Sequence, residues 1–239
     1  MPGGARIETR ILTMIPESES NGTTDVIVVV DVIRAFTTVC ALFERGVQEV
    51  YCAPDLATAL SSSAHATIIG EAENGEQMHS VLPNSPSVIA RTEIAFQRAI
   101  VTTLNGTRVL FDVQNARYVL AMCASNVTAT ALWILSLNEC QRVDIIVSDP
   151  LGNEDRACAR FLSDLLAGRP GIAATLARAV REGASSHWSR WGRYSSASVW
   201  NQFSDDVTIC QRVDTFASPL IVRAGHGSLL QIRLSEEMK

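Results

Sequence analysis

Asp31 and Arg34 stand three residues apart, directly after the β-branched run Val26-Ile27-Val28-Val29-Val30. A carboxylate and a guanidinium at the mouth of a strand suit an anionic substrate held beside a hard cation. Further polar residues fall at equivalent places, just past other apolar runs. They are Glu71, then Thr102, Thr103, Asn105 and Thr107, then Ser125 and Asn126, then Asp149 and Asp155. Mg²⁺ takes one or two carboxylates and leaves its other positions to water and phosphate oxygens, so Asp31 and Glu71 are the candidate ligands. In Thr102-Thr103-Leu104-Asn105-Gly106-Thr107 a strand passes through small hydroxyl residues and Gly106 into a helix, a turn whose N–H groups can cradle phosphate. Each residue also has a purely structural alternative. Asp31 can cap the following helix, Arg34 can be a solvated first-turn residue, and Ser125-Asn126 can cap the helix at Val127. Their coincidence at one edge of one sheet carries the functional reading.

The elements that must position these groups alternate along the chain. Strands are expected over Asp25–Val30, Gln48–Ala53, Thr67–Glu71, Arg98–Thr103, Tyr118–Cys123 and Val143–Ser148. Helices are expected over Arg34–Arg45, after the N-cap Asp55, after Ser85-Pro86, and over Gly106–Asn115, Val127–Leu137 and Glu154–Ala167. Residues 72–86 read as an irregular, function-bearing loop. Beyond Pro170 the rhythm weakens. Ile172–Arg181 reads as a helix, and Glu182–Asp206, which contains Trp188–Trp200, as a surface loop or lid. Val207–Arg212, Leu220–Arg223 and Leu229–Arg233 read as short closing strands. The pattern predicts an α/β fold with helices on both faces of a largely parallel or mixed sheet. In such a sheet, ligands bind outside the carboxyl ends of the strands. Residues 1–239 form one unit, with halves 1–120 and 121–239 as an alternative subdivision.

Composition narrows the functional classes. The chain has 239 residues, 47% of them hydrophobic and 19% charged, which marks a globular protein. Twenty basic against twenty-five acidic residues, with no basic block, argue against nucleic acid. No apolar run is long enough for a bilayer, and no leader-like segment stands at the N-terminus, so a cytoplasmic location is expected. Six scattered cysteines without a C-x-x-C read as small hydrophobes. His65, His79, His187 and His226 lack metal-ligand spacing. A Walker A loop, a Gly-x-Ser-x-Gly elbow and a dinucleotide-binding glycine pattern are all absent. The apolar content permits a homodimer.

The string Asp31-Val32-Ile33-Arg34-Ala35-Phe36-Thr37-Thr38 resembles the signature of the 2-phosphosulfolactate phosphatases. Gly70-Glu71, Asn84-Ser85-Pro86, Thr102-Thr103-Leu104-Asn105-Gly106-Thr107-Arg108 and Ser125-Asn126 follow in that family's order. Asp155 with Cys158, and Val213-Asp214-Thr215-Phe216-Ala217-Ser218-Pro219, resemble its later segments. The resemblance implies a Mg²⁺-dependent phosphatase acting on the phosphate monoester of a small 2-hydroxy carboxylic acid, on an α/β fold with two related halves. It implies Asp31 and Arg34 as catalytic residues and Asp31 and Glu71 at the metal. Thr102, Thr103, Asn105, Gly106, Thr107, Ser125 and Asn126 would line the phosphate. Ala72 stands where the family has Arg, and Ser80-Val81-Leu82-Pro83 where it has Phe-Asp-x-Gly. The substrate therefore need not be 2-phosphosulfolactate. An enzyme of another reaction type on the same scaffold, or a non-catalytic small-anion binder, are the alternatives.

Overall fold

A computed structural model of the chain describes residues 7–13, 24–63, 65–70, 81–113, 116–191 and 197–235. The elements run β1 (Glu8–Leu12), β2 (Val26–Val30), α1 (Ala35–Glu44), β3 (Glu49–Cys52), α2 (Leu56–Ser61), β4 (Thr67–Gly70) and β5 (Val81–Pro83). They continue with α3 (Pro86–Arg91), β6 (Arg98–Thr102), α4 (Gly106–Asp112), β7 (Tyr118–Met122), α5 (Val127–Ser136), β8 (Arg142–Val147) and α6 (Asn153–Leu166). Last come α7 (Ala173–Trp191), α8 (Ala197–Cys210), β9 (Leu220–Ala224) and β10 (Leu230–Leu234).

Among the described residues ten strands make one mixed sheet, in the order β1-β8-β2-β7-β9-β10-β3-β6-β4-β5. The strands fall into two parallel blocks, β1-β8-β2-β7 and β3-β6-β4-β5. The antiparallel hairpin β9-β10 joins them, pairing with β7 on one side and β3 on the other. The expected α/β architecture is the one observed. β2 is buried at every position because both its faces are covered.

Three apolar clusters show how the sheet is covered. One packs Val26, Val28 and Val30 against α5, α6 and α7. A second packs the other face of β2, through Ile27 and Val29, against α1. It also takes in Val50, Val101 and Leu230 from the far block and the hairpin, so this core lies between the two blocks. A third covers the far face of β3, β4 and β6 with help from α2.

The expected caps are present. Asp55 accepts the Thr58 N–H at 2.7 Å, and Ser85 accepts the Val88 N–H at 3.2 Å with Pro86 opening α3.

The C-terminal third differs from its expectation. Residues 182–191 continue α7, and 197–210 form α8, so the expected strand Val207–Arg212 is mostly helical. The β-branched Val207-Thr208-Ile209 favoured a strand locally, but tertiary packing overrides that preference. Phe203, Asp206 and Cys210, at helical spacing, are all buried. Of Trp188–Trp200, the described part belongs to these helices. The Trp188 and Trp200 rings meet edge-on with centroids 4.5 Å apart, and both stack near Phe203. Strand β1 was not expected. Its partly exposed residues sit at the sheet edge beside β8 and lack the apolar run that marked the central strands. The short strand β5 lies within the expected loop 72–86. No described helix is long and apolar enough to cross a membrane. All six cysteines are unpaired, and five are buried.

Gly183 lies in mid-helix α7, where it packs on the start of α6. A Cβ there would run into the Glu154 carboxylate and stand 2.9 Å from the Glu154 backbone nitrogen. Gly183→Ala normally gains helix propensity of up to about 1 kcal/mol. Here the expected sign is reversed, with a loss of about 1–3 kcal/mol in urea unfolding, because a backbone atom blocks the methyl group. Unchanged or increased stability would show that α7 does not rest on α6 in this way.

Candidate active site

Asp31 leaves the end of β2, and its N–H donates to the Met122 carbonyl of neighbouring β7 at 3.1 Å. Its side chain is 5% exposed. One oxygen, Oδ1, accepts the Ala35 N–H, the first of α1, at 3.0 Å, although the N-cap position itself falls to Arg34 rather than Asp31. The other, Oδ2, accepts from the Ser148 hydroxyl at 3.1 Å. Ser148 follows β8 on the opposite flank of β2, and its backbone N–H binds the Val30 carbonyl at 3.0 Å.

The same Ser148 hydroxyl lies 3.3 Å from Asp155 Oδ2. Asp155, in the first turn of α6, also accepts the Val32 N–H at 2.8 Å through Oδ1. One hydroxyl proton cannot serve two carboxylates. Both contacts are satisfied together only when one carboxyl is protonated. Burial pushes the Asp155 carboxyl well above its ordinary range, and the charges of Asp31 and Glu154 push it further. A proton held by this raised Asp155 carboxyl would complete a chain in which Asp155 donates to Ser148 Oγ and Ser148 to Asp31 Oδ2.

Asp31 also meets the turn after β6. A Cβ on Gly106 would stand 2.5 Å from Asp31 Oδ2 and 3.0 Å from its Cγ. Only glycine lets the start of α4 approach the carboxylate this closely. Thr103 and Thr107 close this turn on each other. The Thr103 N–H donates to Thr107 Oγ1 at 2.8 Å, and the Thr107 N–H to Thr103 Oγ1 at 3.1 Å. Their hydroxyls therefore shape the loop. Thr102 is buried against Gly70, where a Cβ would lie 2.9 Å from the Thr102 carbonyl oxygen. β4 thus ends beside Thr102. Its expected continuation, Glu71, lies outside the described residues, as does Ala72.

Arg34, the residue before α1, pairs through Nη1 with Asp206 Oδ2 of α8 at 2.8 Å. Ser125 and Asn126 occupy a 3₁₀ turn at the end of β7. The Asn126 amide is spent on that turn, accepting the Cys123 N–H at 2.9 Å and donating to the Ala121 carbonyl at 3.3 Å. The Ser125 hydroxyl donates to the Arg212 carbonyl at 3.3 Å. The segment after α8 braces the turn, with the Asp214 N–H on the Ala124 carbonyl and the Phe216 N–H on the Ser125 carbonyl. The Asp214 carboxylate accepts the Thr128 N–H and hydroxyl.

The structure thus gathers Asp31, Gly106 and Asp155, with Arg34 one helical turn beyond. Ser148 and Asp206 escaped sequence reading. From sequence Ser148 reads as the last residue of a strand. Asp206 sat in a stretch read as a loop, where the helical spacing of Phe203, Asp206 and Cys210 was the available signal.

Among the described residues no group of three or more His, Cys, Asp or Glu side chains is arranged to hold a metal. The donor chemistry around Asp31 nevertheless suits a hard cation that needs few protein ligands. Its neighbours offer oxygen, and Gly106 keeps the space beside Oδ2 clear of a side chain.

Comparison with known proteins gives one consistent result. A sequence model described as 2-phosphosulpholactate phosphatase matches residues 13–224. A probable 2-phosphosulfolactate phosphatase of Gloeobacter violaceus is 29% identical over 227 residues, 90% of this chain and 95% of that protein. One of Thermus thermophilus is 28% identical over 220 residues, 86% and 91% of the two chains. One of Bacillus subtilis is 30% identical over 149 residues, 60% of this chain and 65% of that protein.

The shared proton has a measurable signature. With a chelator present, the raised Asp155 carboxyl stabilises the fold fully below the ordinary carboxyl pKa of about 4. That contribution is lost as pH rises through the higher folded value. Asp155→Asn cannot titrate, so its Tm relative to wild type should climb as pH is raised from about 4 to 8. Parallel Tm profiles for the two proteins would remove the proton from Asp155.

Proposed function

The chain belongs to the 2-phosphosulpholactate phosphatase family, a family of phosphoric monoester hydrolases; from that premise we propose that it hydrolyses the phosphate monoester of a small 2-hydroxy carboxylic acid with the help of Mg²⁺. One observation carries the reading. The Asp31 carboxylate, from the end of β2, lies against the backbone of Gly106 at the turn after β6, so acidic and phosphate-cradling elements share one place.

In this reading Asp31 and Glu71 hold Mg²⁺. Once bound, the ion supplies positive charge to the phosphate oxygens and fixes their orientation. The turn from Thr102 through Thr103, Asn105 and Gly106 to Thr107 faces the phosphate. Thr103 and Thr107 keep its backbone in shape by their reciprocal hydrogen bonds. Ser125 and Asn126 hold the neighbouring β7 turn in register. Arg34 offsets charge that builds on the phosphoryl group as the ester bond breaks. Water adds to phosphorus, the ester P–O bond breaks, and the departing 2-hydroxyl oxygen takes up a proton. Ser148 and Asp155, linked to Asp31 by hydrogen bonds, stand beside this chemistry. The substrate's carboxylate distinguishes it from a plain alkyl phosphate, and a cation-bearing site tolerates both anionic groups.

Wild-type protein with Mg²⁺ is expected to release phosphate from at least one of 2-phospholactate, phosphoglycolate and 2-phosphosulfolactate. EDTA should abolish the release and added Mg²⁺ restore it. Asp31→Asn should lower kcat/KM by about 10³-fold. Turnover near wild type in Asp31→Asn would strip that residue of its role. Silence of the wild type on all three esters would sink the phosphatase reading.

A further inference from the structure

Asp206 is the most completely enclosed carboxylate that the proposed chemistry does not use. The residue is 0% exposed, yet it sits in α8, far along the chain from every strand-end motif. Three donors from two other segments converge on it. Arg34 Nη1 binds Oδ2 at 2.8 Å. The Ser85 hydroxyl binds Oδ1 at 2.6 Å, and the Ser87 N–H binds the same oxygen at 2.9 Å. Ser85 and Ser87 flank the first residue of α3, so α1, α3 and α8 are tied at one point.

A buried ion pair of this kind is a poor source of net stability, because removing both charges from water offsets most of their attraction. What it does supply is a fixed direction. A guanidinium is planar, and one of its N–H groups is committed to a carboxylate that cannot itself move without breaking two further bonds. The Arg34 side chain is 17% exposed while that of Asp206 is fully enclosed. The carboxylate is therefore the anchor and the guanidinium the group that reaches outward. Asp205, the next residue, gives the contrast. It pairs with Arg91 on the surface at 2.9 Å, with side chains 55% and 60% exposed. Two adjacent acids in α8 thus make two Arg pairs, only one of them built into the interior.

We propose that Asp206 is a positioning residue, which sets the Arg34 guanidinium against the reacting phosphoryl group and couples that placement to the start of α3. The proposal rests on the phosphatase reading, since it acts through Arg34. Oδ1 serves the α3 anchors and Oδ2 serves Arg34, so the two roles can be separated. In Asp206→Asn the amide oxygen can keep the Ser85 and Ser87 bonds while the amide NH₂ confronts Arg34, donor against donor.

The test is a double-mutant cycle on Mg²⁺-dependent phosphate release, with Tm followed for each protein. Asp206→Asn should lower kcat about 30-fold and leave KM within about threefold, as expected when a contact matters mainly in the transition state. In an Arg34→Ala background the same change should cost nothing further. Asp205→Asn should match wild type throughout. Full additivity of the two losses, or wild-type kcat in Asp206→Asn, would overturn the proposal. Should Asp206→Asn fail to fold, guanidinium chloride at low millimolar concentration provides the second measurement. It should restore part of the kcat of Arg34→Ala, because the Asp206 anchor is intact there, and no restoration counts against the anchor. If the wild type cleaves no ester, the phosphatase reading fails on its own account. The cycle is then read on thermal stabilisation by orthovanadate, whose five-coordinate form imitates phosphorus in the transition state. That stabilisation should vanish in Arg34→Ala and Asp206→Asn alike. Its survival in Asp206→Asn, or its absence from the wild type, overturns the proposal.

Discussion

A carboxylate oxygen of Asp31 and the α-carbon of Gly106 come from the ends of β2 and β6, which stand five places apart along β2-β7-β9-β10-β3-β6. Three of those five steps are antiparallel, so in a flat sheet β2 and β6 would point in opposite directions. Their carboxyl ends would then lie on opposite edges, roughly 24 Å apart sideways at about 4.8 Å per strand. Contact between the two ends therefore requires the sheet to curl as well as twist. At roughly 20–25° per strand, five steps turn the strand direction by roughly 100–125°. The sheet thereby wraps around α1, which is why one apolar cluster holds Val29, Phe36 and Val101 together. Absence of a side chain at residue 106 lets the wrapped ends touch.

That wrapping brings acids into a space with little water, and the fold handles each one separately. Asp31 is met by a helix N–H and a serine, and Asp155 by two backbone N–H groups and the same serine, with burial raising its pKa. Asp206 receives a full cation and two further donors. These solutions differ in what they leave available. A carboxylate fully paired with arginine is chemically spent and serves as scaffold. Asp31 is held, among its described contacts, by a backbone N–H and a serine hydroxyl, at the mouth of its strand. The distinction separates a candidate ligand from an anchor although both are buried acids.

The strand-to-helix alternation was legible because β2, β6, β7 and β8 are short apolar runs closed by polar residues, a signature that burial on both faces imposes. Asp31 stood out for the same reason. Less legible were features that depend on partners distant in the chain. β1 carries no apolar run because an edge strand needs only one neighbour. Helix α8 contains Val207-Thr208-Ile209, whose local preference is extended, and becomes helical through the burial of Phe203, Asp206 and Cys210. Ser125 and Asn126 looked like ligand groups because their types are suitable. Asn and Ser side chains are equally apt to bind nearby backbone, and here the turn takes them first. Residue type announces what a side chain can bind, while the competition for it is settled by geometry that one sequence does not display.

The electrostatic balance of the site bears on the proposed cofactor. A phosphate monoester carries close to two negative charges near neutral pH, and the chain carries a net charge of −5. The Asp31 carboxylate, with Asp155 and Glu154 near it, would repel such a ligand at short range in a poorly screened interior. A proton held on the raised Asp155 carboxyl would lower that repulsion by one charge. Arg34 adds one positive charge, but part of its field is cancelled by Asp206. Neither is sufficient for a dianion beside an ionised Asp31. A divalent cation held by Asp31 in the proposed reaction would supply the missing positive charge, and hard oxygen donors suit Mg²⁺. The acidic character of the strand ends is therefore understandable as one half of a metal–phosphate arrangement, and as a binding surface for an anion alone it would be poorly matched.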